Sequence, residues 1–200
     1  MQHGTISGVS DITLVGDFVT LRPLTAGDAQ LTHAWRRGER AANLNAGPQS
    51  VEQQAHWIAA RPASEYNFII ELRDGRPVGM VSLSDIDTTH RRAEPGRFLI
   101  GDEAAVRGVP AAVEAMKLVY ELAFDKLELH RVHGTVASDN ALMIKWQKFM
   151  GMTEEGRLRD HYFINGKFQD AVLFGMLAEE YWTKALPKMT LFIEAAKKGR

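Results

Sequence analysis

The chain has no cysteine at all. Disulfides, thiolate nucleophiles, iron–sulfur clusters and every zinc site that needs a thiolate are thereby excluded, and a reducing, cytoplasmic setting fits. Neither sign of charge is in excess. Lys and Arg number 24 against 25 Asp and Glu, a formal net charge of −1, and the basic pairs Arg36-Arg37, Arg91-Arg92 and Lys197-Lys198 are scattered. Nucleic acid is therefore not expected as a partner, because phosphate binding needs concentrated positive charge. Long apolar runs are missing too: nothing approaches the roughly 20 residues of a membrane helix, and Met1 to Asp11 has neither a basic nor an apolar leader region. The expectation is a cytoplasmic protein with no membrane contact.

What is present is ordinary globular material. Of 200 residues 45% are apolar and 24% charged, with 17 Gly and 7 Pro, enough for one domain that buries a core without staples. Residues 1–17 show no sustained periodicity and read as a flexible arm. Phe18 to Leu24 alternates as a strand. Thr25 to Asp28 offers capping chemistry for a helix over Ala29 to Gly38, and Ser50-Val51-Glu52-Gln53 is a capping box opening a helix that Pro62 stops.

Asn67–Leu72 and Pro77–Leu83 flank Arg73-Asp74-Gly75-Arg76 and predict an antiparallel hairpin. Asp85 to Arg92 is polar and turn-rich, and a strand from near Glu94 runs to Gly101. Between Pro110 and Leu127, Val113, Met116, Tyr120, Ala123, Phe124 and Leu127 recur at helical spacing. His130 to Val136 returns to period two, so strand, helix and strand demand a parallel pair with a right-handed crossover. Asn140 to Met150 is a helix ended by Gly151, Leu158–Ile164 and Lys167–Leu177 flank the hairpin signal Asn165-Gly166, and Glu179 to Lys198 reads as a helix interrupted at Pro187. The fold class is α/β (α+β), a mixed and mostly antiparallel sheet with one parallel pair and flanking helices. Its domain spans 18–178, with a helical extension over 179–200.

Ligands of open α/β sheets gather beyond the carboxyl ends of parallel strands, here at the entry to the long helix. Arg107-Gly108-Val109-Pro110-Ala111-Ala112 places a cation, a flexible glycine and small side chains where unpaired helix N–H groups suit a phosphate. Gly108 as a plain turn and Pro110 as a helix starter is the alternative. Arg157 and Arg159 alternate along one strand face and suit a phosphate or carboxylate, or else pair with Glu154, Glu155 or Asp160. No metal is expected. His130 and His133 are three apart on a strand, no His-Glu-x-x-His occurs, and His33, His56, His90 and His161 lack close partners. P-loop, Gly-x-Gly-x-x-Gly and Gly-x-Ser-x-Gly patterns are absent.

Five features in order carry a resemblance: Glu94-x-Gly96, Arg107-Gly108 followed six residues on by Glu114-Ala115, Leu129-His130-Arg131-Val132, Asn140 eleven residues before Gly151, and Glu155-Gly156-Arg157-Leu158-Arg159. Over about residues 18–182 the chain resembles the GNAT superfamily of acyl-CoA N-acyltransferases, in the branch of ribosomal-protein alanine acetyltransferases and amino-sugar nucleotide acetyltransferases. The resemblance implies a splayed parallel strand pair and acetyl-CoA as co-substrate. Arg107, Gly108, Val109, Ala111 and Ala112 would hold its diphosphate, with Phe98, Leu99, Ile100 and Asn140 along the rest of the coenzyme. A backbone N–H from Phe98 to Ile100 would hold the oxyanion. Glu94 stands at the family's place for the carboxylate that accepts the amine proton, or is a solvated partner of Arg92 or Arg97. His56 and Trp57 would line the acceptor pocket, unless Trp57 simply packs.

Two departures stand out. Pro110 and Ala112 replace the usual glycines of the phosphate loop, removing one N–H donor. Gln147 occupies the position of the tyrosine that protonates the leaving thiolate, and an amide has no proton to surrender, so that role passes to water, to Tyr162 or to no side chain. The expected function is acetyl transfer to a primary amine of a small molecule, such as a nucleotide-linked amino sugar. The alternatives are acetylation of a protein N-terminus and a binding or regulatory module that keeps acyl-CoA without turnover. The apolar residues of the tail, Tyr181, Trp182, Leu186, Met189, Leu191, Phe192 and Ile193, also suggest a homodimer.

Overall fold

A computed structural model describes residues 12–38, 41 and 47–198. Eight strands form one sheet in the order β1-β2-β3-β4-β5-β6-β8-β7. They are β1 (Leu14–Val15), β2 (Val19–Pro23), β3 (Tyr66–Leu72), β4 (Pro77–Asp87), β5 (Arg92–Ile100), β6 (Arg131–Ala137), β7 (Thr153–Ile164) and β8 (Lys167–Leu177). Every neighbouring pair is antiparallel except β5 and β6, the pair joined through the long helix.

Helices cover both faces. α1 (Ala29–Arg36) and α2 (Val51–Ala59) lie over one face, where Ile69, Met80 and Leu99 pack with Trp35. Against the other face lies α3 (Ala111–Glu121), continued by a π-helical turn Leu122–Lys126. Phe68, Val81, Leu83, Ala93, Val132, Val136 and Phe174 meet its Val113, Met116 and Tyr120 there. α4 (Ala141–Phe149) follows β6, and the chain ends in α5 (Ala178–Glu180), a π-helical turn Tyr181–Ala185 and α6 (Leu186–Lys198).

Local signals account for most boundaries. The Ser50 side chain accepts from Gln53 N at 3.2 Å, while the Gln53 amide reaches back to Gln49 N at 2.8 Å, so α2 has both halves of a cap, displaced by one residue. Asn165 and Gly166 have φ of 51° and 76°, the paired left-handed residues of a type I′ hairpin. Gly151 (φ 94°) ends α4, and a Cβ there would lie 2.7 Å from that of Ala185.

Several boundaries differ from expectation. Leu14 and Val15, placed in the N-terminal arm, pair with Leu21 and Thr20; most of that arm, residues 1–11, lies outside the described residues. β4 runs on to Asp87 through the segment read as turns, because ladder pairing continues past Asp85, whose φ of 50° and outward side chain break the apolar alternation. β7 begins at Thr153 rather than Leu158, its first residues exposed on both faces and so without a pattern. The C-terminal helix is interrupted at Tyr181–Ala185 and not at Pro187. The Leu186 N–H reaches back five residues to Tyr181 O, and Pro187, which has no N–H to give, follows directly within the same run of helix. Tyr181, Ala185, Met189 and Ile193 dock this tail on the chain's own core, beside Tyr120 and Phe124.

Candidate active site

Parallel pairing between β5 and β6 is confined to Arg92 with Arg131 and Ala93 with Val132. Beyond those positions the strands part. The edge of β5 from Glu94 onward and that of β6 from His133 onward face each other without a ladder, leaving backbone donors and acceptors for a ligand. A bulge sits on β5 at this point. Met80 pairs with Leu99 and Ser82 with Gly96, so Val81 alone opposes two residues, Arg97 (φ 49°) and Phe98. After the bulge Phe98 turns toward α4, where its ring stacks on Trp146 at 5.5 Å and an interplanar angle of 5°. That stack joins the two sides of the gap. Leu99 by contrast is buried among Ile69 and Met80.

The start of α3 stands at the mouth. No side chain caps it, and the first ladder bond is Glu114 N to Pro110 O, so the N–H groups of Ala111, Ala112 and Val113 precede the ladder. Gly108 has φ of 76° with nothing within 4 Å of where a Cβ would stand, and Arg107 is exposed beside it. Val109 does not belong to this donor set, since its N–H already donates to Val106 O at 2.9 Å. Glu114 plays a structural part. Its carboxylate, 3% exposed, accepts from Asp17 N, Phe18 N and Val19 N at 2.9, 2.7 and 2.7 Å, fastening α3 to the start of β2.

Glu94 faces into the gap, its Oε1 3.7 Å from the position of a Cβ on Gly134. Burial pushes its carboxyl above the usual range, Asp85 adds to the rise, and Arg97 opposes it. Each nearby cation has a carboxylate partner: Arg97 with Glu65 at 2.9 Å, a carboxylate it shares with Arg61 at 3.7 Å, Arg92 with Asp87 at 3.4 Å, and Arg131 with Glu155. Glu94 and Asp85 have no ion pair among the described residues. This end of the gap thus carries two carboxylates without a described ion-pair partner, Glu94 half-buried and Asp85 exposed beside it.

The remaining expected residues divide. The Trp57 ring of α2 lies near the guanidinium groups of Arg61 (4.4 Å) and Arg97 (5.6 Å), both paired with Glu65, which brings α2 over β5, whereas His56 is exposed. Gln147 has its Oε1 buried without a partner, an acceptor awaiting a donor. The Asn140 side chain is spent on capping α4, accepting from Met143 N at 3.1 Å, which gives it a structural role at that end of the cleft. Arg157 pairs with Asp170 at 3.1 Å, and Arg159 acts on the same carboxylate. Tyr162 is half-buried, its hydroxyl 2.6 Å from Thr135 Oγ1. Sequence reading missed Trp146, visible only as an apolar residue beside Gln147, and Asp85, hidden in a segment read as turns. No cluster of His, Asp and Glu able to hold a metal occurs among the described residues, nor does a helix long and apolar enough to cross a membrane.

Comparisons with known proteins agree with this geometry. The family model described as an acetyltransferase (GNAT) domain matches residues 19–153. The spermidine N(1)-acetyltransferase of Escherichia coli K12 is 32% identical over 118 residues, 59% of this chain and 61% of that protein. A Bacillus subtilis protein named "Putative ribosomal N-acetyltransferase YdaF" is 34% identical over 110 residues, 55% of this chain and 58% of its own length. The chain thus spans less than two thirds of either relative. A GCN5-related N-acetyltransferase from Brucella melitensis superposes with a TM-score of 0.77 over 90% of this chain and 84% of its own, at 23% identity, a likeness of fold. None of these three is named for an amino sugar, and that expectation gains no support.

Proposed function

The chain belongs to the GNAT acetyltransferase family, and from that premise we propose that it transfers an acetyl group from acetyl-CoA directly to the primary amine of a small molecule, an aliphatic polyamine before other classes. The observation that carries the acceptor class is the pair of unpaired carboxylates, Glu94 and Asp85, at the closed end of the gap, where an alkylammonium is attracted and a neutral or anionic group is not. The spermidine-acetylating relative favours the same class.

In this reading the donor set fits the coenzyme without a metal ligand. Ala111, Ala112 and Val113 N–H groups, with Arg107 beside them and Gly108 giving close approach, hold the diphosphate. The unpaired edge of β5 from Phe98 to Ile100 hydrogen-bonds the pantetheine arm and offers an N–H to the developing oxyanion. Glu94 draws the ammonium in and accepts its proton, directly or through water, and the amine nitrogen then attacks the thioester carbonyl. Trp57 and the Trp146–Phe98 stack narrow the cleft and exclude water from it. No covalent enzyme intermediate is needed, in keeping with the absence of cysteine.

Acetylation of a protein N-terminus is the second reading, favoured by the ribosomal-type relative. Thiol release from acetyl-CoA, measured with spermidine, spermine, a nucleotide-linked amino sugar and a peptide with N-terminal alanine, separates them. Turnover with the polyamines supports the proposal, and turnover with the peptide alone replaces it. Calorimetric heat on adding acetyl-CoA, with no thiol released from any acceptor, marks a binding module instead.

A further inference from the structure

We propose that His133 is a second proton-transfer residue of this cleft, taking a proton from the attacking nitrogen and returning it to the departing thiolate. The inference rests on the acetyl-transfer reading and adds a residue to it.

Position comes first. Arg92 pairs with Arg131 and Ala93 with Val132, so Glu94 and His133 are the first residues past the last paired position on their respective strands, at the closed end of the gap. Val132 and Val136 are buried against α3, so alternation turns His133 to the opposite face, the one that α1 and α2 share with an incoming acceptor. The facing position on β8 is Gly175, which leaves room for the Arg131–Glu155 pair. His133 is half-buried, and its imidazole makes no hydrogen bond to any described residue. Both ring nitrogens are available.

The charged groups acting on it are Asp85 of β4, Arg92 of β5, Arg131 of β6 and Glu155 of β7. Burial first, then Arg131 and Arg92, hold the imidazole below its ordinary value, against the opposite pull of Asp85 and Glu155. It is therefore neutral, and able to accept a proton, at working pH. Of the described residues considered for this role from sequence, Gln147 cannot ionise and the Tyr162 hydroxyl is engaged by Thr135.

The proton count closes. The ammonium first loses one proton to Glu94 and thence to water. When the C–N bond has formed, the nitrogen carries one proton too many, which passes to the His133 imidazole. The C–S bond breaks with its electron pair on sulfur, the imidazolium protonates that sulfur, and amide and neutral thiol leave with His133 neutral again.

The test uses the full chain with acetyl-CoA and the acceptor that the wild type turns over best. His133→Gln and His133→Ala should lower kcat by about 100-fold or more, with KM for acetyl-CoA within about twofold, and should remove one ionisation from the acidic limb of the pH profile. Added imidazole should restore turnover in His133→Ala but not in His133→Gln. Values of kcat within about threefold of wild type, or a pH profile that keeps the same number of ionisations on its acidic limb as wild type, overturn the inference while leaving acetyl transfer intact. A wild-type protein inactive on every acceptor removes the underlying reading instead, and the role of His133 with it.

Discussion

Replacing Glu114 is the sharpest probe of how the fold holds its site. The residue lies in the first turn of α3, directly behind the proposed diphosphate cradle, and its carboxylate receives three backbone N–H groups across 95 to 97 residues of sequence. Phe18 N and Val19 N both donate to Oε2 and are buried, while Asp17 N donates to Oε1 and is partly exposed. Glu114→Ala leaves all three donors without an acceptor. At about 1–3 kcal/mol for each of the two buried donors, the loss is about 2–6 kcal/mol, a large share of the ~5–15 kcal/mol that holds a domain together. Glu114→Gln is gentler, because its amide oxygen can keep the two bonds at Oε2 while its NH2 opposes Asp17 N, a loss of about 1–3 kcal/mol.

Urea unfolding followed by circular dichroism reads both variants through the midpoint at constant m. The glutamine variant should fold, and its KM for acetyl-CoA should rise because the start of α3 is less firmly placed. Two variants within about 0.5 kcal/mol of wild type, or an alanine variant no less stable than the glutamine one, would refute the accounting.

Glu94→Gln should lower kcat by about 100-fold. The folded carboxyl holds its proton more tightly than the unfolded one, so its contribution to stability is full at low pH and is lost as pH rises through the folded value; the variant should therefore gain stability over wild type at pH 7 and little at pH 4, as thermal melts at the two pH values will check. Gly101→Ala puts a methyl group into the Trp35 indole, which should cost about 1–3 kcal/mol and loosen α1 over the end of β5, read as a lower Tm with a raised acceptor KM. Truncation after Ala178 removes Tyr181, Ala185, Met189 and Ile193 from the core, about 5–8 kcal/mol of apolar burial, so the shortened chain should be insoluble or unfolded on expression.

Much of the architecture was legible because it rests on local chemistry. Period-two and 3.6-residue patterns, the Ser50 cap, the Asn165-Gly166 turn and Gly151 each act within a few residues of themselves, and each stands where the sequence put it. The strand–helix–strand order through α3 likewise dictated a parallel neighbour pair. For the candidate site, resemblance alone supplied the expectation of Glu94, the start of α3 and Gln147 in place of a tyrosine.

What needed the folded chain were relations between distant residues. Composition cannot say that β5 and β6 part after two residue pairs, that Phe98 crosses a bulge to stack on Trp146, or that the Asn140 side chain and the Val109 N–H are already spent. Nor does spacing show that Glu94 is left unpaired while its neighbouring arginines are all satisfied, or that Glu114 serves the backbone of β2. Sequence sets what each residue prefers and can donate or accept; which of those capacities remain free for chemistry is decided only when long-range packing has consumed the others.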